Sequence, residues 1–245
     1  MRRDDVWKDP EVVATFVREV RGGVPYGSDQ LAVMTRVIAG AGRPVRRVLD
    51  VGSGSGVVTA ALLARFPGAQ ATLVDFSAPM LDAARAALAG SEPPPRFVAA
   101  DLADPRWDAA LRDQAPFDAI ASSYAIHHLE DARKRALYAE LFALLAPGGA
   151  FVNVEHVASA GPWGEGLADE LVIDSLQAHQ VARGGTASRA EVAARYVARP
   201  DKAANILAPV EAQCEWLRAI GFVDVDCFFK VFELAVFGGR RPVGP

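Results

Sequence analysis

Apolar and polar positions follow two rhythms along this chain, and the switches between them mark the elements. Residues 10–20 and 28–40 carry apolar side chains at helical spacing and are joined by Arg21-Gly-Gly-Val-Pro-Tyr-Gly27. From Arg46 short apolar runs take over, each followed by a helical stretch. The runs Arg47–Val51, Ala71–Asp75, Arg96–Ala100, Phe117–Ser122 and Ala150–His156 read as strands. Between them Val57–Phe66, Pro79–Ala89 and Asp131–Leu145 read as helices, with a short helix near Trp107–Arg112. Pro67-Gly68 makes a turn, Gly90 and Pro93-Pro-Pro95 end one helix, and Pro147-Gly148-Gly149 stops another. Strands that alternate with helices of about ten residues or more imply βαβ units and a parallel sheet.

The remainder departs from that alternation. Residues 161–207 hold few strand signals and read as mostly helical, rich in Ala, Glu and Arg. Pro209–Ile220 is a further helix, closed by Gly221. Val223–Val231 and Leu234–Phe237 then follow as two strands too close together for a crossover helix, so they pair as an antiparallel hairpin.

Composition narrows the class. With 245 residues, 51% of them apolar, the chain fits one α/β domain with a modest insertion or a small cap. A net charge of −4 supplies no basic field to draw nucleic acid, and no aromatic-basic interleaving suggests an RNA platform. The Met1-Arg-Arg-Asp-Asp start lacks the apolar run of a signal peptide. No apolar segment reaches the ~18 residues that span a bilayer. A cytoplasmic protein with no membrane partner is expected. Cys214 and Cys227 lack metal-type spacing and read as buried free thiols.

The strongest chemical signal is Val48-Leu-Asp-Val-Gly-Ser-Gly-Ser-Gly56, a strand that runs into three alternate glycines and then a helix. Glycine serves where the backbone turns sharply or a ligand must touch it. Such a turn at the carboxyl end of a parallel strand is where doubly wound proteins hold nucleotides. A dinucleotide fold wants G-x-G-x-x-G, whereas here the third glycine comes one residue early. Asp50 is placed to order this turn by accepting its backbone N–H groups. Asp75 ends the second strand, where a carboxylate accepts ribose hydroxyls; the plain alternative is a solvated strand end. Phe76 and Met80 would flank a ring, although Met80 reads equally well as core.

The glycine stretch resembles motif I of the class I S-adenosylmethionine (SAM)-dependent methyltransferases. Leu73-Val-Asp-Phe-Ser-Ala-Pro-Met80, Ala100-Asp101, Phe117 to Leu129 with its Ile-His-His-Leu, and Leu145-Ala-Pro-Gly-Gly149 extend the resemblance to the small-molecule branch of that family. The fold implied is α/β: a Rossmann-like, seven-stranded class I methyltransferase sheet. It comprises a five-strand parallel part and a C-terminal antiparallel β-hairpin, under a helical lid. A nicotinamide enzyme would keep its helical crossover there and its wider glycine spacing. The cofactor implied is SAM, bound by Gly52, Ser53, Gly54 and Gly56, with Asp75 on the ribose. Phe76 and Met80 then border the adenine. Asp101 would accept the adenine amine, with the Leu102 N–H on the ring; its rival Asp104 more simply caps the helix that follows. Backbone carbonyls at Ser122 and Ser123 would meet the methionyl ammonium.

The two ends are similar to the group around carboxy-SAM synthase, through Val24-Pro-Tyr-Gly27, Gly221-Phe-Val-Asp-Val-Asp-Cys-Phe-Phe-Lys230 and Phe232-Glu-Leu-Ala235. That similarity puts Tyr26 over the cofactor and makes residues 1–45 a helical lid segment. Residues 46–156 form the SAM-binding core, 157–207 a helical substrate cap, and 208–245 the helix and hairpin that complete the sheet. Carboxy-SAM members grip the extra carboxylate with an arginine after strand five; Arg195 and Arg199 are the candidates, in surroundings that depart from the pattern.

Methyl transfer is an in-line displacement with an activated leaving group, so the enzyme mainly positions the acceptor and excludes water. A base is needed only where the acceptor loses a proton. His127, His128, Glu155 and His156 are the candidates, with His127 also on the cofactor side. Each has a structural alternative: a packed histidine, or a polar residue at a strand end. Adjacent histidines on an extended segment point to opposite sides, so no metal is expected. The expected activity is methyl transfer from SAM to a small-molecule acceptor. Carboxyl transfer to SAM, or SAM binding without turnover, are the alternatives. A homodimer is left open.

Overall fold

The computed structural model describes residues 3–244; Met1-Arg2, part of the start read above, and Pro245, the last residue of the tail, lie outside the described residues. Seven strands form one sheet: β1 (Arg47–Val51), β2 (Gln70–Asp75), β3 (Arg96–Ala99), β4 (Phe117–Ser123), β5 (Leu145–His156), β6 (Val223–Val231) and β7 (Leu234–Arg240). Their order is β3-β2-β1-β4-β5-β7-β6. The first five run parallel, β7 is antiparallel to β5, and β6 is antiparallel to β7. The order reverses between β1 and β4, so a crevice opens at the carboxyl ends of those strands.

Alternation along each strand feeds two cores. Val48 and Leu73 face α2 (Gly27–Gly40), α3 (Val57–Arg65) and α4 (Ala78–Ala87), where Met34, Ile38 and Leu62 are fully buried. Leu49, Val51 and Phe151 face the opposite layer, α5 (Asp131–Leu144) and α8 (Val210–Ile220), through Tyr138, Leu141 and Leu217. β5 begins earlier than its apolar run suggested. Leu145 already pairs with Phe117, and Gly148 and Gly149 exchange backbone bonds with Arg241. The tail thus continues the sheet edge, and Arg241 Nη1 donates to the Leu145 carbonyl at 2.6 Å.

Residues up to 45 do not behave as one lid. α2 is a core helix, and burying Met34 and Ile38 stabilises it on the sheet by about 1.5–3 kcal/mol each. What lies over the sheet's carboxyl edge is shorter. It comprises a 3₁₀ turn (Arg3–Lys8), α1 (Pro10–Thr15), a π-helical turn (Phe16–Val20) and a second 3₁₀ turn (Arg21–Gly23). The single helix expected over 10–20 therefore changes its winding after Thr15. The insertion supplies α6 (Pro162–Ala182) and α7 (Arg189–Val197), the latter started by a Ser188–Glu191 capping box. Ile173, Leu176, Val192 and Tyr196 make a small core of their own, against which Val20 packs. Insertion and N-terminal segment form one roof. Among the described residues no helix is long and apolar enough to cross a membrane.

Candidate active site

A cleft of about 850 Å³ lies under the roof along the carboxyl edge of β3, β2, β1 and β4. Its floor is the glycine turn. Gly52 and Ser53 donate backbone N–H groups to the Val74 carbonyl at 2.8 and 3.0 Å, and Gly54 donates to Asp75 Oδ2 at 2.8 Å. Gly52 has φ +66°, and a Cβ there would overlap that of Ala125, so only glycine lets the β1 turn meet the β4 loop. Asp75 is buried; its Oδ1 accepts the Ser77 N–H at 2.8 Å. Burial raises its pKa above the carboxylate range, against the pull of the Ser77, Gly54 and Phe76 amides. The carboxylate is thus held by backbone amides where it lines the cleft.

Phe76, Met80, Asp101 and Leu102 line the same cleft, and Asp101 Oδ1 accepts the Ala103 N–H at 2.9 Å. Gly52, Ser53 and Gly54 line it too. Ser53 Oγ and Ser123 Oγ are buried on its walls with no hydrogen-bond partner. A paired-acceptor carboxylate at mid-cleft, an apolar slot beside it and two unpaired hydroxyls match the diol, the ring and the polar end of SAM. The residues present fit the group.

Several expected site residues stand elsewhere. Tyr26, expected over the cofactor, is exposed at the start of α2, its ring 6.0 Å from Phe229 of β6. Its left-handed φ of +55° belongs to the chain reversal that starts the helix. Gly56 precedes α3 and packs toward Leu88 and Ala84, away from the cleft. Asp50 does not bond the glycine turn: its Oδ2 accepts the Thr59 N–H and hydroxyl at 3.0 and 2.7 Å, and Oδ1 has no partner. Its complete burial pushes its pKa up to about 7. The Ser122 hydroxyl donates inward to the Val51 carbonyl at 2.7 Å, and Ser123, one residue on and on the other face, lines the cleft instead.

A second cavity, of about 760 Å³, adjoins the first. Trp7, Phe16, Tyr124 and His128 line both and form the wall between them. Tyr124 is held with φ +52° by its hydroxyl bond to Gln30 Oε1 at 2.6 Å. His127 and His156 line only the second cavity, so His127 faces the chamber and not the cofactor cleft. His127 and His128 sit on a 3₁₀ turn (Ile126–His128), not on an extended segment, and their rings lie 4.1 Å apart. They share a side.

The three imidazoles are held differently. The Trp7 indole N–H donates to His128 Nε2 at 3.2 Å, so Nδ1 carries the proton toward the Ala204 carbonyl. His156 is bracketed by Glu233 Oε2 at 2.8 Å and Asn205 Nδ2 at 3.4 Å. His127 Nδ1 is 2.6 Å from Glu155 Oε1, and its backbone N–H donates to Oε2. Glu155 is buried, lines neither cavity, and also accepts from Asn153 Nδ2 and the His156 N–H. It orients His127. Because a carboxylate only accepts, His127 holds its proton on Nδ1, and Nε2 has no partner among the described residues.

The cations of the chamber are already paired: Arg199 with Asp201, and Lys202 with Asp169 at 2.8 and 2.9 Å. Arg195 opens on a separate surface groove. Trp7, Phe16, Arg21, Ser55, Tyr124 and Ala125 were absent from the sequence-based cofactor set. Of these, Ser55 and Ala125 flank motif residues and were within reach of the sequence; the N-terminal side chains carried no signal.

The class this fold and cleft define agrees with comparison to known proteins. The methyltransferase-domain family profile matches residues 48–149. The carboxy-S-adenosyl-L-methionine synthase of Chromohalobacter salexigens is 31% identical over 93% of this chain and 80% of its own. That of Aeromonas hydrophila is 28% identical over 95% of this chain and 89% of its own. An O-methyltransferase family protein from Burkholderia thailandensis superposes with a TM-score of 0.59 at 16% identity, over 95% of this chain and 63% of that one. The chain belongs to the class I SAM-dependent methyltransferase family. It is an enzyme, and SAM is its cofactor.

Proposed function

We propose that this enzyme methylates a hydroxyl of a small, uncharged, largely apolar acceptor held in the chamber. The observation that carries the reading is the Glu155–His127 pair, whose unpaired Nε2 faces a cavity that shares a wall with the cofactor cleft. In this reading Asp75, Asp101, Phe76, Met80, Leu102 and the Gly52-Ser53-Gly54 turn hold SAM, which supplies an activated methyl group. The aromatic wall of Trp7, Phe16 and Tyr124 admits a flat acceptor and excludes water. His127 Nε2 takes the hydroxyl proton, and Glu155 steadies the imidazolium that results. With Arg199 and Lys202 satisfied by carboxylates of the roof, the chamber offers, among the described residues, no unpaired Lys or Arg to an anionic acceptor.

A second reading, carboxyl transfer to SAM, is supported by the likeness to carboxy-SAM synthases along nearly the whole chain. Against it, Arg195 lies outside the chamber and Arg199 is bound to Asp201. The test is a panel of hydroxylated aromatic, amine and carboxylate acceptors, followed by mass spectrometry of demethylated cofactor and product. Methylated hydroxyls are expected, with kcat lowered about 10²–10⁴-fold in His127→Ala and SAM affinity kept. Full turnover in that variant would remove the base; a cofactor heavier by one carboxyl group would favour the second reading.

A further inference from the structure

The carboxylates of Asp4, Asp75 and Asp101 line the cofactor cleft, and among the described residues the guanidinium of Arg21 lines it with them. Arg21 comes from the N-terminal segment, in the turn Arg21–Gly23. That turn is pressed against the roof: a Cβ on Gly23 would fall 2.8 Å from Leu176 Cδ2 of α6, so the backbone that carries Arg21 is tightly located. The guanidinium carbon lies 5.8 Å from the centre of the Tyr124 ring. Tyr124 is itself fixed by Gln30, by its own backbone bond to Val154 and, through Gln30, by the Pro25 carbonyl.

Among the described residues the Arg21 guanidinium has no hydrogen bond and no ion pair, whereas the roof cations Arg189, Arg199 and Lys202 each hold carboxylates. Burial pushes its pKa down from the ordinary value, against the pull of Tyr124 and Asp50. Asp50, the nearby carboxylate, is bound to Thr59 and does not reach it. A guanidinium with five donors, partly shielded from water and unpaired, calls for an anion from outside the chain. The sheet order says which part of the ligand meets it. Asp101 follows β3, Asp75 ends β2, the glycine turn follows β1 and Tyr124 follows β4. Arg21 therefore stands at the end of the cleft opposite Asp101, beside the chamber wall. Adenosine held by Asp75 and Asp101 leaves the amino-acid half of SAM at that end.

We propose that Arg21 is the carboxylate-binding residue of the cofactor cleft, an inference that rests on the placement of SAM given above. Two carboxylates share the required chemistry: that of the methionyl group, present in SAM and S-adenosylhomocysteine, and the extra one borne on the sulfonium of carboxy-SAM. Calorimetric titration of the full chain with S-adenosylhomocysteine, 5′-methylthioadenosine and carboxy-SAM separates them. The wild type binds S-adenosylhomocysteine more tightly than methylthioadenosine, which lacks the amino acid. Arg21→Met weakens S-adenosylhomocysteine about tenfold or more, leaves methylthioadenosine unchanged, and Arg21→Lys recovers part of the loss. A preference for carboxy-SAM that Arg21→Met erases, with S-adenosylhomocysteine unaffected, assigns Arg21 to the sulfonium carboxylate.

Unchanged binding of both carboxylate ligands in Arg21→Met overturns the proposal, as does an equal loss for methylthioadenosine. Should the Met variant fail to fold, the Lys variant and the wild-type ligands decide. A wild type that binds S-adenosylhomocysteine and carboxy-SAM no better than methylthioadenosine overturns it without any variant. Asp75→Ala tests the cofactor placement separately, because it must weaken all the adenosyl ligands, methylthioadenosine included. If it weakens none of them, the cleft is misassigned whatever Arg21 does.

Discussion

The cleft proposed for SAM and the chamber proposed for its acceptor share a wall, yet they are built in opposite ways. The cleft is made mostly from short runs at strand ends, tied by bonds to neighbouring backbone: Gly54 to Asp75, Ser77 to Asp75, Ala103 to Asp101. The chamber is assembled from side chains far apart in the chain. Trp7 reaches His128, Asn205 reaches His156, and Ile206 donates its N–H to the His127 carbonyl at 2.8 Å. Buried Lys134 holds the same strap, donating to the Ile206 carbonyl at 2.5 Å and pairing with Asp131 at 2.7 Å. A cofactor that does not vary can be held by rigid backbone. An acceptor pocket built from a roof can be remodelled without disturbing that frame.

Separable regions make separable predictions. The largest effect belongs to the chamber. Glu155→Gln keeps the shape but can present an N–H₂ to His127 Nδ1, moving the imidazole proton to Nε2 and removing the base. We expect kcat to fall roughly 10²–10⁴-fold with SAM affinity unchanged; steady-state kinetics beside calorimetry reads both, and a matching loss of SAM affinity would merge the two regions. Next comes Asp75→Ala on the cleft side. It removes the diol acceptor and orphans the Gly54 and Ser77 amides, so SAM affinity should drop about tenfold or more and stability by about 1–3 kcal/mol. Unaltered SAM affinity in a folded variant would place the cofactor elsewhere.

The smallest effect concerns the frame beneath both. Asp50 has its pKa raised to about 7 by burial, above its unfolded value of about 3.9. Between those values the native state holds a proton that the unfolded chain has lost. The stabilisation from that proton is full below about pH 4 and is lost as pH rises through about 7. In Asp50→Asn this dependence disappears, so the variant's Tm should gain on the wild type between pH 5 and pH 8. A constant difference across that range would show that Asp50 does not titrate there.

Legibility followed the same division. β1 and β6 match the strands read from apolar alternation residue for residue, because strand and turn preferences act within a few residues. Asp75 and Asp101 line the cleft as their place at strand ends implied, because a carboxylate at a strand end is a local pattern. Ser122 and Ser123 were named together for their carbonyls, but their side chains part: one hydroxyl turns inward to Val51 and the other residue lines the cleft, because a single residue changes the face of a strand. Tyr26 was misplaced for a different reason: helix periodicity does not say which way a segment lies over a sheet. The last strand, read as ending at Phe237, runs on to Arg240, and Gly238 pairs with Val152 so closely that a Cβ would meet the Phe151 carbonyl.

By itself the sequence determined the parallel sheet, the terminal hairpin and the glycine turn, with carboxylates at the strand ends beside it. These are set by hydrophobic period, backbone freedom and spacing, all of which operate over short stretches of chain. Only the tertiary structure decided which nitrogen of His127 is open, that Glu155 points at the histidine and lines neither cavity, and that the Arg21 guanidinium, without a hydrogen-bond or ionic partner among the described residues, stands over Tyr124. Those properties depend on partners brought together by packing, and the protonation or pairing of a side chain is a property of its neighbours, which the order of residues along the chain does not contain.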